Sequence, residues 1–210
     1  MHYLLKIWVG WVLSGGYWGI IVLMAMESSI FPVPSEIVIP PAAFLAAQGK
    51  LNLWGVIAAG TFGSWLGASI TYWVSLWLGR ILIVKWGRFF AISESKLTRA
   101  EHWLHRYEAG GIFFARLLPV IRHLISIPAG IIRMNFTTFS VMTIVGSALW
   151  CGVLAWFGQT VITPEMLRDP AGLTMALKAK SHLIAAAVIV LCLLYFLVMR
   201  LTARRNGAPP

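Results

Sequence analysis

The sequence predicts an all-α integral membrane protein. Its core is expected to be an inverted repeat of a re-entrant hairpin plus a transmembrane helix, with additional N- and C-terminal helices. Three observations predict it: an apolar composition, two proline-broken apolar segments that carry charge, and residue matches that recur at one offset. Of the 210 residues, 59% are hydrophobic and 11% charged, where a soluble domain is roughly half apolar and about a quarter charged. Mean hydropathy is +0.80. This excludes an ordinary soluble globular protein, and it excludes disorder, which needs low hydrophobicity and many charges.

The elements follow in chain order. Ile7 to Met26 is long enough to cross but is interrupted by Ser14-Gly15-Gly16, so it either spans or splits into an interfacial helix and a membrane entry. No small-residue cleavage site follows cleanly, so a removable signal peptide is not expected. Ile30 to Gly49 holds Pro32, Pro34, Pro40, Pro41 and Glu36. Ile112 to Ile132 holds Arg116, Pro119, Arg122, Pro128 and Gly130. Proline breaks the backbone ladder and intramembrane charge is costly, so neither is read as a continuous spanning helix. A re-entrant hairpin, entering and leaving on one side, is expected for each. Leu51 to Gly79, Phe136 to Thr163 and Leu183 to Met199 reach the about 20 apolar residues that a bilayer core requires.

Charge orients these runs. Lys and Arg number 17 and Asp and Glu 7, a net +10, but the cations flank apolar runs instead of clustering on one face, so no nucleic-acid partner is expected. Arg80 to Glu108 carries six basic residues, and the tail adds Arg200, Arg204 and Arg205. The positive-inside rule places both in the cytoplasm. The expected division is residues 1–26, 27–79, 80–108, 109–163, a periplasmic loop 164–181, a helix 182–201 and a cytoplasmic tail 202–210. Thr98 and Glu101 form a capping-box pattern, and Ala100, Trp103, Leu104 and Tyr107 then follow at helical spacing, predicting an amphipathic surface helix.

Asn52 and Asn135 are 135 − 52 = 83 residues apart, and at that offset Phe31 meets Phe114, Ala46 meets Ala129, Lys50 meets Arg133, and Gly63-Ser64 meets Gly146-Ser147. If Arg80 is cytoplasmic, the two spanning helices run in opposite directions. Transporters with inverted repeats place their sites near the midplane on broken helices, which is where Glu27, Glu36, Arg116 and Arg122 fall. Prolines between them permit bends that bring all four to one polar pocket. Arginine suits phosphate because its planar fork donates bidentate hydrogen bonds. A buried glutamate beside it is subject to opposing effects and can carry a proton.

Other residues carry less. Glu101, His102 and His105 sit on the polar side of a surface helix and are read as solvated, so no metal is expected. His123 either relays protons or bonds backbone, a choice the sequence leaves open. Gly60, Gly63 and Gly67 suit close helix packing. Cys151 and Cys192 lie in apolar runs and suggest no disulfide. No Gly-Lys phosphate loop or dinucleotide fingerprint is present, so no cofactor is expected.

The segment F-F-A-R-L-L-P-V-I-R-H-L-I-S-I-P-A-G-I-I-R-M-N-F, from Phe113 to Phe136, and E-S-S-I-F-P-V-P-S-E from Glu27, resemble the DedA family, also described as SNARE-associated or VTT-domain membrane proteins. The similarity covers most of Gly19 to Phe157. It implies a multi-pass protein of the bacterial inner membrane that moves lipid across the bilayer. Undecaprenyl phosphate is the substrate ranked first, and phosphatidylethanolamine or another glycerophospholipid second, with the proton as coupling ion. By motif position Glu27 and Glu36 look like the family's acidic pair and Arg116 and Arg122 like its essential arginines. Val120 departs from the small residue usual after the motif proline. A membrane phosphatase acting on undecaprenyl pyrophosphate is the enzymatic alternative, although Pro119 is followed by Val-Ile-Arg without the expected serine. A proton-driven small-ion exchanger fits the repeat but not the resemblance. Oligomeric state is left open.

Overall fold

The computed structural model describes residues 2–29, 34–86, 110–118, 122 and 124–161. Pro32, Pro119, Val120 and His123 lie outside the described residues. So do the surface helix expected after Thr98, the 164–181 loop and the C-terminal helix and tail. The described residues are helical, with no strand among them: α1 His2–Ser29, α2 Ser35–Ala47, α3 Leu53–Trp86, α4 residues 110–117, α5 Ser126–Ile131 and α6 Phe136–Val161. By length and composition, among the described residues three helices hold membrane-length windows: Gly10–Ser29, Leu53–Trp77 and Phe136–Thr160.

The first window is not one straight rod. Gly16 has φ 52 and ψ −130, a conformation that glycine adopts without steric cost. The chain doubles back there, and a Cβ on Gly19 would lie 2.2 Å from the carbonyl oxygen of Trp11. Residues 17–29 extend only about 20 Å at 1.5 Å per residue.

Small residues set the packing. From Gly55 against the Tyr17 ring, through Gly63 against Ile21 and Met24, to Gly67 against Ala25, α1 and α3 advance together and run parallel. A Cβ on Gly67 would stand 2.1 Å from the Ala25 carbonyl oxygen, so α1 touches the α3 backbone as the glycine spacing predicts. Gly60 abuts Cys151, while Tyr72, twelve residues further on, stacks on Phe139 at 4.9 Å. The α3 numbers rise as the α6 numbers fall, so these two helices are antiparallel. On α2, Ser35 meets Trp150 and Pro40 meets Gly158, so α2 runs parallel to α6. It follows that α2 runs antiparallel to residues 17–29 of α1.

Pro40 and Pro41 lie inside α2 and do not end it, although proline in a helix interior ordinarily does. Both are fully enclosed, and Gly158 lets α6 lie against the Pro40 backbone, at 2.5 Å from its carbonyl oxygen to a Cβ built there. Tertiary contact holds a turn from which proline has removed the local hydrogen bonds.

The two short helices α2 and α5 end alike. Lys50 N–H donates to Leu45 O and Gly49 N–H to Ala46 O; Met134 N–H donates to Ala129 O and Arg133 N–H to Gly130 O. Both sets form the Schellman closure around a left-handed residue, Gly49 at φ 74 and Arg133 at φ 55. Each is followed by an asparagine that caps the next helix. Asn52 Oδ1 accepts from Trp54 and Gly55, and Asn135 Oδ1 accepts from Thr137 and Thr138. The N-caps match at the offset of 83 and the closures at 84, because the first link carries one extra residue.

Two tryptophan belts bracket the bundle. Trp18, Trp54 and Trp156 are exposed at one end and Trp73 and Trp77 at the other. Trp54 and Trp77 are 23 residues apart on α3, about 35 Å, close to a hydrocarbon core of about 30 Å flanked by interfacial aromatics.

Candidate functional site: a buried arginine pair on α6

The inner face of α6 presents Phe139, Thr143, Gly146, Ser147 and Trp150 along one stripe, all enclosed except where glycine leaves no side chain. Arg122 and Arg116 both lie on it, at 6% and 3% exposure. Arg122 stands over the Trp150 ring, 5.0 Å from its centroid, within cation–π range. It donates to Ser35 Oγ at 2.6 Å and pairs with Glu27 Oε1. Glu27 is itself 2% exposed and also accepts from the Ser35 N–H at 2.7 Å. Pro34, the residue before α2, gives no side-chain cap, so Glu27 caps α2 from a neighbouring helix. Negative charge there also suits the helix dipole. Trp150 Nε1–H completes the cluster by donating to Ser35 Oγ at 3.1 Å.

Arg116 is held differently. Its Nη2 donates to Ser126 Oγ at 3.0 Å, and its guanidinium lies 6.0 Å from the Phe139 centroid. Among the described residues it has no carboxylate partner. Its Nε is buried and unpaired, as is that of Arg122. A Cβ on Gly146 would come within 2.7 Å of Arg116 Cβ, so glycine is what lets the arginine stem lie on α6. Leaving a buried polar group unpaired costs about 1–3 kcal/mol, and more when it is charged.

The four charges expected in one pocket thus divide. Glu27 and Arg122 meet. Arg116 rests on a ring 150 − 139 = 11 residues away, about 16 Å along the α6 axis. Glu36 lies in the first turn of α2, half-buried, and forms no ion pair among the described residues. Pro34 precedes α2; Pro128 and Gly130 are buried within α5, and Gly130 lets that helix approach the Tyr72 backbone at 2.4 Å from a built Cβ. Ser35, Ser126 and Trp150 were not anticipated. The legible signal was Ser35 between Pro34 and Glu36, a helix-start pattern; nothing distinguishes Trp150 from the belt tryptophans.

The VTT-domain family model matches residues 33–160, the span that holds Ser35, both arginines and Trp150. The chain belongs to the VTT-domain, or DedA, family. Among VTT-domain relatives, undecaprenyl phosphate transporter A of Bacillus subtilis (strain 168) is 32% identical, over 92% of this chain and 93% of its own length. The protein of the same name from Staphylococcus aureus is 28% identical over 91% and 93%. An "alkaline phosphatase-like protein" of Lactococcus lactis subsp. cremoris is 31% identical over 93% and 92%. No solved structure matches the chain. Apolar helices and bacterial membrane relatives together make this VTT-domain chain a bacterial inner-membrane protein.

Proposed function

We propose that this VTT-domain protein is a lipid transporter that carries a phosphate headgroup through the membrane, with undecaprenyl phosphate as its substrate. The observation that carries the reading is Arg116: an enclosed guanidinium with an unpaired Nε–H and, among the described residues, no carboxylate partner. A phosphate monoester supplies the missing charge and accepts the fork geometry. Relatives named for undecaprenyl phosphate transport support the same substrate.

Arg116 and Arg122 then act as successive stations. Arg116 meets the headgroup nearer the Trp77 end, which the positive-inside rule assigns to the cytoplasm. Arg122, deeper toward the Trp156 end over Trp150, is occupied by Glu27. Protonation of Glu27 frees Arg122 for phosphate, and loss of the proton displaces the phosphate, so proton and headgroup binding are linked through differential affinity. Glu36, close to Ser35, is the second acid in this scheme. The reversal between α1 and α2, the paired helix closures and the antiparallel α3 and α6 support two re-entrant hairpins in an inverted repeat, whose halves exchange access.

The test is a proteoliposome assay with labelled undecaprenyl phosphate, phosphatidylethanolamine and undecaprenyl pyrophosphate, with and without a pH gradient. Undecaprenyl phosphate is expected to cross, faster under the gradient, with no inorganic phosphate released. Transport of phosphatidylethanolamine alone would reassign the substrate, and phosphate release from the pyrophosphate would make the protein a phosphatase. Arg116→Lys keeps the charge but loses the fork, and is expected to lose most transport. Glu27→Gln and Glu36→Gln are each expected to flatten the pH profile; an unaltered profile removes that acid from the coupling scheme.

A further inference from the structure

Two hydroxyls on α6, those of Ser140 and Thr143, are buried without a hydrogen-bond partner, and Thr143 is the one at the centre of the stripe. Thr143 is fully enclosed, and its Oγ1 has no hydrogen-bond partner. Other helical threonines show the default: Thr61, Thr71 and Thr160 each donate to the carbonyl four residues back, at 2.7, 3.0 and 3.0 Å. Thr143 makes no such bond. Helical spacing puts it one turn from Phe139 and one turn from Gly146. These are the two α6 residues that Arg116 spans, its stem against Gly146 and its guanidinium over Phe139. Arg116 Nε, bonded to that guanidinium carbon, is also buried and unpaired. An N–H and a hydroxyl are therefore left unmatched where Arg116 lies along α6 between Gly146 and Phe139.

We propose that Thr143 is a headgroup-binding residue, its hydroxyl donating to the same phosphate-monoester oxygen that Arg116 Nε–H binds. The inference rests on the lipid-phosphate reading of Arg116. Arginine offers only donors, and a hydroxyl can donate as well. The shared partner is then an acceptor with several lone pairs, and no described carboxylate reaches Arg116. A phosphate oxygen meets that requirement with charge-assisted bonds. The chemistry is common to a lipid headgroup and to free phosphate.

The experiment uses the full chain in nanodiscs, titrated with a short-chain polyprenyl monophosphate and with the matching polyprenyl alcohol, inorganic phosphate serving as competitor. Thr143→Val removes the hydroxyl and Thr143→Ser keeps it. Thr143→Val is expected to weaken monophosphate binding about tenfold, the order of one hydrogen bond to a charged group, with alcohol binding unchanged. Thr143→Ser is expected to stay near wild type. Without ligand, Thr143→Val is expected to melt no lower than wild type, since it deletes an unpaired buried hydroxyl. Competition by inorganic phosphate that weakens in Thr143→Val would extend the site to the free anion; no competition, with the lipid effect intact, assigns it to the lipid headgroup. Wild-type monophosphate affinity in Thr143→Val overturns the proposal, as does equal loss of phosphate and alcohol binding in both variants. If the unaltered protein binds no polyprenyl monophosphate, the transporter reading itself falls; if it binds and Thr143→Val is indifferent, only the role of Thr143 falls.

Discussion

Glu27 is asked to do two things at once, and both depend on its charge. It balances Arg122 and it receives the first N–H of α2 through Ser35. Removing one partner of a buried pair leaves the other uncompensated, which costs about 3–5 kcal/mol. Glu27→Gln is therefore expected to lower the SDS-unfolding midpoint sharply, whereas Glu27→Gln combined with Arg122→Gln should cost less than the sum of the two singles. Additive losses would mean that the pair is not coupled. Arg122→Lys is expected to behave like a partial deletion, because one ammonium cannot serve Glu27 and Ser35 and also lie flat over Trp150.

Helix contacts depend on absent side chains. Gly67→Ala would place a methyl against the Ala25 backbone, where only helix separation relieves the clash. Overpacking of this kind costs about 1–3 kcal/mol, and the loss should appear in unfolding of the detergent-solubilised protein. Gly152 is the internal control, with nothing within 4 Å of its built Cβ; Gly152→Ala should be neutral, or stabilise by up to about 1 kcal/mol through helix propensity. Asn135→Ala should cost about 1 kcal/mol by removing the N-cap of α6. Much of this level was legible. The Gly60, Gly63 and Gly67 spacing announced close packing, and the Asn52 and Asn135 match corresponds to two helix starts built alike. Pro40 and Pro41 were not legible as helix-interior residues, because what tolerates them is Gly158, more than a hundred residues away.

For the molecule as a whole, antiparallel α3 and α6 place their capped starts at opposite ends of the bundle. Asn52 and Asn135 are both exposed. In a chain carrying Cys151→Ser and Cys192→Ser, a membrane-impermeant maleimide is expected to label Asn52→Cys and Asn135→Cys from opposite sides of the membrane. Labelling of both from one side would end the inverted-repeat reading. The tryptophan belts set the same limits: Trp150, under Arg122, is six residues or about 9 Å from Trp156, and Arg116 lies nearer the Trp77 end.

Composition, charge placement and proline spacing by themselves determined that the chain is a membrane protein, about where α3 and α6 begin, and which charged residues demand an explanation, since these depend on transfer free energy and local backbone chemistry. Only the tertiary structure decided how those charges are shared. Arg122 and Glu27, 95 residues apart in sequence, pair directly and each also bonds Ser35, while Arg116 is set apart on Phe139 with Ser126. A contact between distant segments follows from how helices dock, and docking here is governed by which glycines let two backbones meet, so no local pattern could say which arginine would be paired and which left open.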